Sequence, residues 1–364
     1  MDTLKKISTL LLLLSTFLSF SQQPFKEISG IVVDEKKHPI EFANVFVNNT
    51  SIGTTTNSKG EFSLTIPNNI PSVELIVSFV GFEKYKGNIS LSNEEKKKMN
   101  FVLKTILIQE VRVMAKRDKN YKRNWEIFKK IILGQSDFTK DCEILNADNL
   151  RFEEDSDGSL LITAPEPFYI LNKALSYKIR VEMPFFKHNE KKWTGIIDEF
   201  FEKITPTDSL QENLWKKNRI IAFKDSFRNF LVSIANDKIL ENNFSAFQRK
   251  ITVQTYSDLG TISKEIKEEK LSPLKTSDFY FFDNQRGVHT LFSNKDIIVF
   301  LKDKREQEPI FAEYPYKFAS LVLAQKSMSF NENGWIVKPN GFVLGGEWSQ
   351  EGLSVSLPND FVLE

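Results

Sequence analysis

The stretch GTTTNSKGEFSLTIP, Gly53 to Pro67, runs from small polar residues through Asn57-Ser58-Lys59-Gly60 into a strict alternation of polar and apolar side chains. Phe62, Leu64 and Ile66 recur every second residue, so they share one face of a β-strand. Asn57 to Gly60 reads as the turn before that strand: glycine tolerates positive φ, and an asparagine side chain bonds its local backbone. The same texture extends on both sides. ISGIVVD, EFANVFVN, SIGTTTN, VELIVSFVGF and MNFVLK are short runs rich in β-branched and aromatic residues with turn signals between them. From Ile28 to about Leu103 this spacing predicts a small β-sandwich.

Composition sets wider bounds. The chain has 364 residues, 41% hydrophobic and 12% aromatic, enough for a sizeable core and roughly two domains. Forty-nine Lys and Arg stand against 48 Asp and Glu, so no global field draws the chain to nucleic acid or an anionic membrane. Lys5 and Lys6 precede the apolar run ISTLLLLLSTFLSF, and Ser19 and Ser21 flank Phe20. This reads as a signal peptide over residues 1–21, with cleavage near Ser21-Gln22 and no transmembrane helix afterwards; a retained anchor is the alternative. Cys142 is the single cysteine, which excludes an intrachain disulfide and predicts a thiol packed as a small hydrophobe.

The N-terminal residues carry a family resemblance. Gly30, Val32 and Asp34, then Pro39, Ala43 and Val45, then Gly53, Thr54, Thr56, Gly60 and Phe62, and finally Ser78 with Gly81 and Phe82 resemble the carboxypeptidase-like regulatory domain. That resemblance implies a prealbumin-like, all-β Greek-key sandwich over residues 22–104. Lys37 stands where the family has a glycine two places before Pro39, which leaves the first turn type open. Similar domains precede TonB-dependent outer-membrane transporters, but a barrel of about 22 strands of about 10 residues needs more chain than remains.

Residues 105–123, with ILIQEVRVM and then AKRDKNYKR, read as an exit strand and basic linker. Residues 124–364 are predicted to form an α+β domain with an antiparallel sheet and one long helix. WEIFKKIIL has Trp125, Phe128, Ile131 and Ile132 at helical spacing, stopped by Gly134. The long helix is expected to start near Thr207 or Asp208, with Leu214, Phe223, Phe227, Phe230, Leu231 and Ile234 on one face. Asp157-Gly158, Asn333-Gly334 and Asn340-Gly341 mark hairpin turns. This part resembles a group of exported envelope proteins through Trp125 and Phe128, Cys142-x-Ile144-x-Asn146, Asn172 to Tyr177, Trp215 to Arg219, Trp348 and Leu357-Pro358. The group implies no known chemistry.

No complete catalytic set emerges. His38-Pro39-Ile40-Glu41 spells H-x-x-E, as in zinc carboxypeptidases, yet only His188 and His289 remain and neither belongs to a second ligand motif. His38 is better read as part of a turn, and no metal or cofactor is expected. No G-x-S-x-G elbow and no phosphate-binding G-x-x-x-x-G-K-[ST] occurs. Glu153-Glu154-Asp155 reads as a solvated hairpin, and Lys216 to Arg219 as a solvated helix face rather than a polyanion site. Phenylalanine is abundant, 32 residues, as in FYFFDN from Phe279 to Asn284; a strand core is the default and an exposed binding face the alternative.

The expectation is a non-enzymatic, exported protein, periplasmic or outer-membrane associated, that binds or assembles with an unknown envelope protein or glycan. An envelope hydrolase with its site in the second domain is the alternative, and an accessory to TonB-dependent uptake a weaker one.

Overall fold

A computed structural model describes residues 25–106 and 120–363, apart from 69, 92–95, 190–191, 259–260, 309, 312 and 338–340. The predicted signal peptide and most of the linker lie outside the described residues.

The sandwich has seven strands: β1 (Phe25–Asp34), β2 (Asn44–Val47), β3 (Gly53–Thr55), β4 (Glu61–Pro67), β5 (Ser72–Ser78), β6 (Tyr85–Ser90) and β7 (Lys96–Leu103). One sheet runs β4-β1-β7 and the other β3-β2-β5-β6. Phe62, Leu64 and Ile66 are buried while Glu61, Ser63 and Thr65 are exposed, as the alternation requires. The turn before β4 is built as read: Asn57 Oδ1 accepts from Lys59 N and Glu61 N, each at 2.9 Å, and Gly60 has φ +74°. Strand β6 was not anticipated, because Gly87 and Asn88 weaken its β signal; pairing to β5 supplies what propensity does not.

Beyond the sandwich the chain is mostly β, which corrects the α+β expectation. Strands β8 (Cys142–Leu145), β9 (Arg151–Glu154), β10 (Leu160–Thr163), β11 (Phe168–Asn172), β12 (Tyr177–Asn189) and β13 (Lys192–Lys203) make one sheet, with β13 on β12. Strands β14 (Phe244–Asp258), β15 (Thr261–Pro273), β18 (Ile297–Arg305), β19 (Tyr316–Leu323) and β21 (Phe342–Gly346) make another. A three-stranded sheet joins β16 (Tyr280–Asp283), β17 (Val288–Phe292) and β20 (Ser327–Phe330). Among the described residues four α-helices occur: α1 (Tyr121–Leu133), α2 (Ser209–Lys224), α3 (Phe227–Ala235) and the single turn α4 (Glu347–Gln350). Fourteen strands stand against four helices among the described residues of this region, so sheets dominate it.

Helix α1 ends at Gly134, φ +71°, and sets Phe128 against Phe152, Phe168 and Phe186. The expected long helix is two helices. Asp208 caps α2, but the chain breaks at Asp225-Ser226, where Ser226 accepts from Asn229 N and caps α3. Trp348 Nε1 donates to the freed Asp225 carbonyl at 3.0 Å and fixes the break. Within α2 the buried face also differs from the expected one: Leu214 is 56% exposed, and its neighbour Trp215 is buried instead.

Candidate functional site

The sandwich and the β12–β13 hairpin meet across hydrogen-bonded charges. Asp198 has no exposed side-chain surface and bonds Lys84 Nζ and Lys86 Nζ, each at 2.5 Å. Lys84 also reaches Glu182 at 3.3 Å, Lys86 reaches Glu74 at 3.2 Å, and Arg180 pairs with Glu182 at 2.9 Å. Three carboxylates therefore face three cations. Burial alone would lower the Lys86 ammonium, yet its bonds to Asp198 and Glu74 raise it above its ordinary value. Backbone bonds reinforce the junction: Asn49 N donates to Glu199 O at 2.8 Å, and Phe201 N to Thr50 O at 2.9 Å. Gly53, the first residue of the stretch quoted at the outset, has its own part, since a Cβ there would lie 2.5 Å from the Phe200 ring.

Beside this junction lies a cavity of about 1000 Å³. Its wall is shared by the sandwich (Asn49, Glu74), β13 (Glu199), the α2–α3 segment (Phe227) and the C-terminal stretch (Glu351, Ser356). Alternation along β13 explains the placement: Asp198 points into the ion network and its neighbour Glu199 to the opposite side. Glu199 has one long hydrogen bond, from Ser356 Oγ at 3.4 Å. Desolvation, with the adjacent Asp198 charge, pushes its carboxyl up to about 7 against that bond. Glu351 is held by a backbone bridge to Gly134 and makes no side-chain hydrogen bond or ion pair among the described residues. Desolvation raises it to about 8, opposed by Lys304. Glu199 is half-buried and Glu351 exposed, and both line the cavity. Asn49 Oδ1 is buried without a hydrogen-bond partner.

Aromatic rings form much of the remaining wall. Phe227 lies 5.0 Å from Trp348 and 5.6 Å from Phe342, centroid to centroid. Trp193, 48% exposed, stacks on Phe186 at 5.3 Å. Arg228 also lines the cavity, but its guanidinium is occupied, donating to the carbonyls of Asn333, Pro358, Asn359 and Phe361 at 2.5–2.9 Å. That clasp holds the C-terminal stretch, which also reaches the sandwich through Asp360 and Ser51, 2.5 Å apart.

Residues 28–113 match the family model of the CarboxypepD_reg-like domain. This segment is a CarboxypepD_reg-like domain. No curated protein matches the chain. Among solved structures, 3-chlorocatechol 1,2-dioxygenase from Rhodococcus opacus 1CP aligns over 22% of this chain and 60% of its own, at 11% identity and TM-score 0.19. A DUF3823 family protein from Bacteroides ovatus ATCC 8483 aligns over 50% of this chain and 99% of its own, at 7% identity and TM-score 0.19. The chain thus spans less than two thirds of the first of these, and at such TM-scores neither likeness bears on chemistry.

The motif residues of the CarboxypepD_reg-like domain shape its backbone. Gly30 lies where a Cβ would meet Met99 O at 1.5 Å, which lets β1 and β7 pair. Asp34 accepts from Lys36 N and His38 N at 2.8 Å, and Pro39 bridges Val33. Ala43 is fully buried, Thr54 pairs with Val45, Phe62 packs 5.9 Å from Phe101, and Gly81 has φ +85°. Lys37 adopts φ +70°, so the left-handed turn survives without the family's glycine. His38 is exposed and bonds Asp34 at 3.1 Å. Among the described residues no group of three or more His, Cys, Asp or Glu side chains could hold a metal.

Further along, two motifs that looked diffuse form one clasp. Trp215 Nε1, Asn218 Nδ2 and Arg219 Nη1 donate to the carbonyls of Lys173, Ala174 and Leu175 at 2.8, 2.9 and 3.2 Å. The Trp215–Arg219 run is therefore spent on structure. Glu154 and Asp155 pair at the surface with Arg123 and Lys187. Cys142 is half-buried, and burial pushes its thiol up to about 12, an unreactive state. FYFFDN divides: Phe279 is buried, whereas Phe281 and Phe282 are 48% and 45% exposed. The sequence offered no signal for Glu199, Glu351 or Asn49.

Proposed function

We propose that this chain is a non-catalytic cell-envelope protein, exported and periplasmic or outer-membrane associated, that acts by binding a ligand between its CarboxypepD_reg-like domain and its second region. The observation carrying this reading is the shared wall of the cavity: neither part encloses it alone. The ion network and backbone bonds beside it hold the two parts as one unit, so the cavity is preformed. No described helix is long and apolar enough to cross a membrane. A photo-crosslinking residue in place of Thr194, which lines the cavity, tests it in intact cells. Capture of an envelope protein or glycan is expected; uncrosslinked recovery from the cytoplasmic fraction would overturn it.

One observation favours an envelope hydrolase as a second reading. Glu199 and Glu351 are carboxyls raised to about 7 and about 8 in the same cavity, values suited to proton transfer near neutral pH. Hydrolysis of peptide or glycan substrates that Glu199→Gln abolishes without changing the fold would establish it. Equal hydrolysis by the variant would remove it.

A further inference from the structure

We propose that helix α2 is a membrane-contact surface whose outer face lies on the headgroups of an anionic phospholipid bilayer. The cavity plays no part in this, so the two readings stand or fall separately. At about 100° per residue, Leu210, Leu214, Lys217 and Ile221 form one stripe along α2, and Ile220 widens it on one side. Leu210, Leu214, Ile220 and Ile221 are 50–80% exposed. Trp215 and Phe223 are buried on the opposite side, where Trp215 Nε1, Asn218 Nδ2 and Arg219 Nη1 donate to the carbonyls of the β11–β12 turn. Those bonds fix the roll of the helix, so the stripe cannot turn inward. An ordinary surface helix carries polar residues opposite its buried face. Scattered exposed apolar residues need no explanation, but four along one face of a helix already docked by the other mark a contact surface.

Charge selects the occupant. Within α2, Lys216, Lys217, Arg219 and Lys224 stand against a single acid, Glu212, which lies away from the stripe and pairs with Lys216 at 3.4 Å. Lys224 pairs with Asp303, whereas Lys217, inside the stripe, makes no ion pair among the described residues. A second copy packed on the stripe would bring the two Lys217 side chains together in either helix orientation, because position 217 lies close to the stripe's midpoint. Two ammonium groups would then lose water with no acid of α2 to pair them. A bilayer supplies both halves of the match: acyl chains for the leucines and isoleucines, and lipid phosphates within reach of a snorkelling lysine stem.

The test is flotation of the purified mature chain with vesicles of phosphatidylcholine alone or of phosphatidylcholine mixed equally with phosphatidylglycerol. The chain is expected to float with the anionic vesicles in preference to the neutral ones, and less so as sodium chloride screens the headgroups. Both readouts use the unsubstituted chain and need no variant to fold. Leu214→Gln/Ile221→Gln is expected to weaken anionic-vesicle binding at least about tenfold, and Lys217→Gln about fivefold. Melting temperatures should stay unchanged, since all three replaced side chains are exposed. Equal flotation of the double variant would place the contact elsewhere and overturn the proposal. Flotation no better with phosphatidylglycerol than without it, or none with either vesicle, would overturn it as well. A dimer in sedimentation equilibrium that the double variant converts to a monomer would assign the stripe to a second copy and overturn the lipid.

Discussion

Asp198 and Glu199 are neighbours on β13, and their surroundings are opposite. Asp198, wholly buried, is the hub of a network in which three carboxylates and three cations match. Glu199, on the other side of the strand, has one long bond and a carboxyl raised to about 7. Asp198 is fully enclosed and Glu199 half-buried, and the cations lie on the Asp198 side alone. A buried carboxylate is stable when cations and donors surround it and becomes a proton acceptor when they do not. The first arrangement holds two parts of a molecule together, and the second awaits something from outside.

Substitutions that break this contrast should rank in a definite order. Asp198→Ala removes the carboxylate that Lys84 and Lys86 share and leaves each with only its longer contact, to Glu182 or Glu74, with an expected loss of about 3–5 kcal/mol in denaturant unfolding. It should also open the junction to proteolysis ahead of global unfolding. Gly53→Ala places a methyl group 2.5 Å from the Phe200 ring, with an expected cost of about 1–3 kcal/mol. Combining it with Phe200→Leu should recover part of that loss, which separates the junction from any backbone effect.

The carboxyls of the cavity predict a smaller, signed dependence on pH. Glu199 and Glu351 hold their protons more tightly folded than unfolded, so their contribution is complete below the ordinary carboxylate range. It is lost as pH rises through about 7 and about 8. Thermal melts should show stability falling between pH 5.5 and pH 8.5 by on the order of 1 kcal/mol, and Glu199→Gln should flatten that slope. A slope that steepens in the variant would contradict the assignment. Smallest is Lys37→Gly, which relieves a left-handed lysine at φ +70° and should stabilise the sandwich by about 0.5–1 kcal/mol.

How much was legible follows from range. Phe62, Leu64 and Ile66 announced their strand because a pleat alternates side chains every two residues, and Asn57 and Gly60 announced its turn through their own bonding and φ. The helix stop at Gly134 and the hairpin at Gly158 were local in the same way. The split of the expected long helix was harder to see, because Ser226 caps α3 while the break is secured by Trp348, far along the chain. Trp215–Arg219 and Asn172–Tyr177 were visible as motifs, but their meeting was not. Gly53 was read as a mark of the sandwich, and its second duty appears only once Phe200 lies against it.

By itself, the sequence determined most strands and turns of the sandwich and several local features beyond it, such as the helix stop at Gly134 and the turn at Gly158, since these obey periods and bond patterns spanning a few residues. Only the tertiary structure decided that Asn49, Glu199 and Glu351 border one cavity while Asp198 does not. Residues so distant along the chain meet through strand pairing and the docking of whole sheets, and no local pattern records which charges will find partners there.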